Sequence, residues 1–357
     1  MTNLKQRADF SGKIFYVGID VHLKSWDVSI YFDQQHIRSF QQPPEVSKLI
    51  STLQRDYPNA IFQCAYEAGF SGFGLQRQLT EAGIGCIVVN AADVPQTDKG
   101  RKTKTDRSDS KRIATALQGG LLQGIYIPNS KIESHRRLVR YCGQLLRDLQ
   151  RSKLRIKSFL YQQSISLPAP YNRNNWSNRF IAWLKELPLT NELDKLTLNK
   201  MIEQVETGRK EVTLLTKSIH ELLQQEQYHT TAKLLMSIPG IGPLTTATLL
   251  VEVVDIHRFP SFAHFNSFVG FCPGEHSSGE EERKGHIISR HHQTLRMLLI
   301  EAAWMAVKND PALTLAYSEL KKKMTGKQAI IRIARKLLNR IYHVWKKKEA
   351  YEKGIIK

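Results

Sequence analysis

The sequence is short of cysteine: Cys64, Cys86, Cys142 and Cys272 are four in 357 residues, and no two form a C-x-x-C pair. That scarcity excludes a disulfide scaffold, and the spacing disfavours a zinc site of the common kind. Long apolar runs are missing too. No stretch of about 18 apolar residues occurs, so no membrane span is expected. The first residues, MTNLKQRADFSGK, lack the apolar core of a secretory signal. Acid is scarce relative to base: 33 Asp+Glu stand against 52 Lys+Arg, giving a formal charge of +19 and a pI near 9.7. Such an excess favours a polyanionic partner, nucleic acid before anionic lipid. A 41% share of hydrophobic residues argues against wholesale disorder. The length fits two or three domains of roughly 100–200 residues each.

What is present falls into three regions, with boundaries expected at 1–129, 130–230 and 231–357. The first alternates strand and helix signals. IFYVGID (14–20) is an apolar run ending in an acid, WDVSIYF (26–32) alternates, and 36–41 reads as a third strand. Helical spacing over 46–53 precedes a buried strand over 60–66 that leads into Glu67. A helix over 72–82, a strand over 84–89 and a helix over 106–117 follow, separated by the polar loop 92–105. Strands alternating with helices predict an α/β sheet. The second region carries two long, charged, helical segments, 133–164 and 196–227, read as a helical hairpin or coiled-coil arm. The third reads helix, tight turn, helix over 234–254, then a compact loop FVGFCPGEHSSGEEERKGHIISRHH, then a helix over 293–307. Its tail, 318–357, holds thirteen Lys/Arg and three Glu. The tail's amphipathic pattern predicts a docked helix with a basic outer face.

Four acids stand out. Asp20 and Glu67 end predicted strands, while Asp106 and Asp109 lie three residues apart, on one helix face. Such carboxylates form an oxygen cage suited to Mg²⁺, and two such ions about 4 Å apart can hold attacking and leaving oxygens in phosphoryl transfer. Taken singly, each acid is an ordinary turn or cap residue; the ordered set in a basic chain is the signal. Arg101, Lys102, Lys104 and Arg107 sit beside the acids, where they would ease the approach of phosphates. In IPGIGPLTTA (238–247), Gly240 and Gly242 give a helix–hairpin–helix pattern that exposes backbone N–H groups to phosphate without base readout. Its alternative is a tight turn joining two core helices. In PGEHSSG (273–279), composition alone reads a turn. A serine there needs a base, metal or cations to become a nucleophile; His276, Arg283 and Lys284 are near in sequence.

The sequence resembles the DEDD transposases of insertion-sequence family 110, relatives of the Piv-type DNA invertases. The blocks that carry the resemblance are YVGIDVHLKSWDV, AYEAGFSGFGLQRQL, KTDRSDSKRIA, LLMSIPGIGPLTTATLL, FVGFCPGEHSSGEEERKG and LRMLLIEAAW, in that order. The resemblance implies a RuvC-like, RNase H-type α/β domain with Asp20, Glu67, Asp106 and Asp109 binding Mg²⁺. It implies a coiled-coil arm used in assembly and a mainly α C-terminal transposase domain. The family serine preceding a glycine falls on Ser278, with Ser277 the adjacent competitor. It further implies a covalent phosphoserine link to DNA and a composite site, acids from one subunit and serine from another. A tetramer (a dimer of dimers), and a structured guide RNA that pairs with donor and target DNA, follow as well. The setting would be cytoplasmic and nucleoid-associated, in a bacterium or archaeon. Ser289-Arg290-His291-His292 departs from the small residue with Asn or His common after the serine loop, which bears on the local turn. Two other functions compete: a RuvC-type nuclease that hydrolyses DNA without the serine, and a non-catalytic nucleic-acid-binding protein.

Overall fold

The computed structural model describes residues 8–95, 106–171, 176–278 and 281–354, with the backbone alone at 106, 107, 170, 275–278 and 281–286. It divides into two compact units, Met1–Ile127 and Pro128–Lys357.

The first unit is a mixed five-stranded sheet with helices. The strands are β1 (Ile14–Val21), β2 (Trp26–Phe32), β3 (Gln35–Gln42), β4 (Ile61–Glu67) and β5 (Gly85–Val89), ordered β3-β2-β1-β4-β5. The short links between β1, β2 and β3 make those pairs antiparallel, while the intervening helix lets β4 return parallel to β1, and β5 is parallel to β4. Helices α1 (Val46–Asp56) and α2 (Gly74–Glu81) connect these strands, and α3 (Asp106–Gln118) follows. On one sheet face Val17, Ile19, Val28 and Tyr66 are buried with Leu49 and Leu53 of α1 and Leu79 of α2. Ala65 and Val89 pack with Ile113 of α3 in a second cluster. The predicted strands lie close to the observed ones because each apolar run is as long as one sheet crossing.

The second unit is mainly helical. Helices α4 (Ser130–Gln162) and α6 (Glu192–Gln224) run antiparallel, as the bonds Gln163–Asp194 and Ser152–Gln204 show. Each begins at an Asn whose side chain accepts a backbone N–H of the first turn. At their far end the short helix α5 (Asn178–Lys185) closes an aromatic core of Tyr171, Trp176, Phe180 and Trp183. At their near end Val139, Cys142, Ile219 and Leu222 join the core of the C-terminal helices. Those are α7 (Glu226–Met236), α8 (Pro243–Val253), α9 (Phe262–Val269), α10 (Gln293–Asn309), α11 (Pro311–Lys321) and α12 (Gly326–Lys347). The amphipathic tail docks as read: Ile333, Ala334, Leu337, Leu338 and Ile341 of α12 are buried while Arg332, Arg335 and Lys336 are exposed. One segment differs from its reading. The serine loop is an antiparallel ribbon, β6 (Pro273–Ser278) paired with β7 (Glu281–Ile287). Its polar composition hides it, because its strands are held by backbone pairing and by anchors at their base. Among the described residues no helix is long and apolar enough to cross a membrane.

Candidate functional site

In the first unit the site grows from two parallel strands and one helix. Ile19 lies beside Tyr66 in the β1–β4 register, so Asp20 and Glu67 follow as neighbours at the carboxyl ends of the strands. Side chains alternate along a strand, and Gly18 and Ala65 therefore share the face of Asp20 and Glu67. Helix α3 covers that face. A Cβ on Gly18 would stand 2.5 Å from the Ala114 backbone N and closer still to the Ser110 carbonyl oxygen. Glycine is thus what lets α3 seat on β1. The hydroxyls of Ser29 on β2 and Ser110 on α3, both fully buried, share a hydrogen bond of 2.8 Å that fixes the same approach.

This seating places Asp109, buried, beside the strand acids. The Arg112 guanidinium, one turn further on, lies 3.0 Å from an Asp109 carboxylate oxygen and 3.8 Å from one of Glu67. Its Nε is buried without a hydrogen-bond partner. Asp20 lies 3.1 Å from His22 Nε2. Asp27 on β2 stands opposite Asp20, on the same face, is buried, and accepts a hydrogen bond from Gln41. Oxygen-only donors of this kind match a hard divalent cation. Among the described residues no three ligating side chains converge closely enough to hold an ion by themselves. The Asp106 side chain lies outside the described residues.

In the second unit the ribbon β6–β7 is anchored at its base. Arg296 of α10 donates to the carbonyls of Gly270, before β6, and Ile288, after β7, the latter at 2.8 Å. Gly270 takes φ +89°, and a Cβ there would crowd His291 and the Arg296 guanidinium. Ile288 N–H bonds to the Cys272 carbonyl and His292 N–H to that of Phe268. The His292 ring then bridges two elements. Its Nδ1 accepts Leu295 N–H at the start of α10, and its Nε2 faces the Glu252 carboxylate at 3.3 Å. Because Nδ1 accepts, Nε2 carries the proton and donates. Glu252 of α8 is buried and also receives both nitrogens of an Arg140 fork (2.6 and 2.8 Å), with Arg136 at 3.3 Å. Burial alone would raise its pKa; the bonds from His292 and Arg140 and the charges of Arg140 and Arg136 outweigh that and hold it at about 2.

Residues 17–165 match a family described as transposase, the DEDD group of IS110, and residues 232–318 match the transposase IS116/IS110/IS902 family. The chain belongs to this transposase family. It is 27% identical over 297 residues (81% of this chain, 84% of the other) to the transposase for insertion sequence element IS1533 of Leptospira borgpetersenii. It is 28% identical over 259 residues to a Sinorhizobium fredii protein named as transposase y4qE, covering 72% of this chain but 62%, under two thirds, of that protein. It is 32% identical over 148 residues (40% of this chain, 46% of the other) to the pilin gene-inverting protein of Moraxella bovis.

In this transposase, then, the structure brings Glu67 and Asp109 together through Arg112 and places Asp20 beside Glu67. Asp106 and Arg107 open α3 with backbone alone described, and Arg101, Lys102 and Lys104 lie outside the described residues. For Ser277, Ser278, His276, Arg283 and Lys284 the backbone alone is described: Ser278 pairs with Glu281, Ser277 with Glu282, His276 with Arg283 and Glu275 with Lys284. Gly240 and Gly242 part company. Gly240 (φ +87°) packs so closely on α10 that a Cβ would stand 3.0 Å from Ala306 N and nearer the Ala302 carbonyl. Gly242 precedes α8 with open space where a Cβ would be. Sequence reading passed over Gly18, His22, Asp27, Arg112, Glu252 and Arg296, and marked His292 only as part of the departure after the serine loop. Arg112 alone carried a signal, an i,i+3 pairing with Asp109 inside the KTDRSDSKRIA block.

Proposed function

We propose that this transposase cuts and rejoins DNA through a serine adduct, with Asp20, Glu67, Asp106 and Asp109 holding Mg²⁺ on an RNase H-like (RuvC-like) sheet. The observation that carries the proposal is the placement of Asp20 and Glu67 side by side at the strand ends, on the sheet face covered by the helix that is seated through Gly18 and bears Asp109. The donor set fits the ion, and bound Mg²⁺ would stabilise charge on the phosphate and leaving oxygen. The Ser278 hydroxyl, losing its proton, attacks the DNA phosphorus and releases a sugar hydroxyl. A second sugar hydroxyl then attacks the phosphoserine, so the phosphodiester is restored without external energy. In the family's composite arrangement the acids and the serine come from different subunits of a tetramer, and a structured guide RNA reads donor and target DNA by base pairing. The net charge of +19 and the basic face of α12, whose segment contains no acid, support a nucleic-acid partner. Gly242, open at the head of α8 in the helix–hairpin–helix-like segment, is the glycine suited to a phosphate contact. Gly240 is the one that seats the turn.

The test is a denaturing gel of protein incubated with Mg²⁺, donor DNA and the flanking transcript. A protein–DNA adduct that is lost in Ser278→Ala and kept in Ser277→Ala is the expected result. The two serines are successive strand positions and belong to opposite faces of the ribbon, so neither is expected to substitute for the other. Cleaved DNA without an adduct would refute the serine mechanism and favour hydrolysis by the acids alone.

A further inference from the structure

Arg112 is unusual company for a metal site. A guanidinium stays charged at any working pH, and here it leans on two of the carboxylates expected to hold the ion, at 3.0 Å from Asp109 and 3.8 Å from Glu67. Asp109 is 9% exposed at its side chain and Arg112 21%, so water screens the pair only in part. Around them Asp20 and Asp27 add negative charge on the same face. Like charges on one face repel, and a counter-cation among them favours their ionised forms when no metal is bound. The fit is incomplete: Arg112 Nε is buried with no hydrogen-bond partner, and the Glu67 contact is longer than a hydrogen bond. A cation that satisfied the site fully would leave no such orphan.

From this we propose that Arg112 is a built-in counter-ion that competes with the divalent metal: it holds Glu67 and Asp109 in place when the site is metal-free and gives up one or both when metal binds. The proposal rests on the metal reading above and adds a positioning residue to it. Divalent affinity is set below what the carboxylates alone would give. The released guanidinium, on a rigid helix at the mouth of the site, is then free to meet a DNA phosphate oxygen, the partner its planar fork suits. Lysine at this position would keep the charge and lose the fork, so Arg112→Lys falls between wild type and a neutral variant.

The experiment is calorimetric titration of the full chain with Mn²⁺ and with Mg²⁺, without nucleic acid, for wild type, Arg112→Gln, Arg112→Lys and Asp20→Asn. Thermal melts with and without metal accompany it. Arg112→Gln is expected to bind Mn²⁺ about tenfold more tightly than wild type, a difference of about 1.4 kcal/mol. It should also melt lower when metal-free and gain more from added metal. Arg112→Lys should bind with intermediate affinity. Unchanged or weaker binding by Arg112→Gln, with wild-type binding still abolished by Asp20→Asn, would overturn the competition and leave the metal reading standing. Wild-type binding that is absent, or that survives Asp20→Asn, would overturn the metal reading and this proposal with it. A variant that merely unfolds would show no metal-dependent recovery in the melts, an outcome that also counts against the proposal.

Discussion

Replacing Gly18 by alanine tests how the acid site is assembled. The added Cβ would stand 2.5 Å from Ala114 N and closer to the Ser110 carbonyl, and both obstacles are backbone, which cannot rotate away. Relief to ordinary contact requires α3 to retreat by about 1 Å from β1. The Ser29–Ser110 hydrogen bond, buried on both sides, resists that retreat. Overpacking of this kind costs about 1–3 kcal/mol, which at roughly 2–8 °C per kcal/mol is a visible fall in melting temperature. The same retreat carries Asp109 away from Glu67, and a misplacement of about 1 Å in a reacting site costs on the order of 10² in rate. Circular dichroism melts, Mn²⁺ titration and strand cleavage read the three consequences. Gly74→Ala is the control, since nothing lies within 4 Å of the position of its Cβ. A Gly18→Ala protein that melts and binds metal as wild type does would show that α3 is not seated through this contact.

Glu252→Gln removes a buried carboxylate from two arginines and a histidine, and is expected to destabilise the second unit by about 3 kcal/mol, measured by urea denaturation at pH 7. Its pKa is lowered from 4.5 to about 2, so its contribution is complete above pH 4.5 and fades as pH falls toward 2. At about 1.36 kcal/mol per unit the pH-dependent part is again about 3 kcal/mol, and the Gln variant should lack that slope in acid titrations of stability. Nucleic-acid affinity is expected to fall by 10³ or more between about 50 and 200 mM salt. Neutralising Arg332, Arg335 and Lys336 together to Gln should reduce the logarithmic salt slope by up to about 3 without lowering the melting temperature, because all three are exposed. An unchanged slope would remove the α12 face from the nucleic-acid surface.

The strands of the first unit and the acids at their ends were readable because both are local. An apolar run sets a strand's length, and the residue after it marks the strand's end. Asp20 and Glu67 therefore lie at the ends of strands and Asp109 on a helix, the elements expected for them. What could not be read is how closely a helix approaches a sheet. Gly18 looks like any glycine in a strand until Ser110 and Ala114 are set against it. Asp27 sits in an alternating strand, WDVSIYF, where an acid reads as a solvent position; its burial comes from α3 covering that face. Arg112 lay in a block already marked for its acids, and its cation reads as one more basic residue there until Glu67 is brought beside Asp109.

The serine ribbon shows the opposite case, in which local composition points the wrong way. HSSGEEERKGHI has no apolar alternation and reads as a loop, yet its backbone pairs as two strands. The cause lies outside the segment. Arg296 ties the carbonyls that precede and follow it, and Cys272 and Ile288 pair by backbone, so the two ends are held at strand spacing before any ribbon residue contributes. Below them Glu252 joins His292 to Arg136 and Arg140, residues more than 100 positions earlier on α4. Within LLVEVV that glutamate resembles a surface residue; it is buried because the helical hairpin crosses it. The base of the ribbon is thus fixed to the arm helix by a fully paired buried charge, whereas the segment that carries the candidate nucleophile is polar throughout. A rigid base under a polar segment keeps the serine's position dependent on α4, so a change at Glu252 should disturb the adduct even though it touches neither DNA nor the serine.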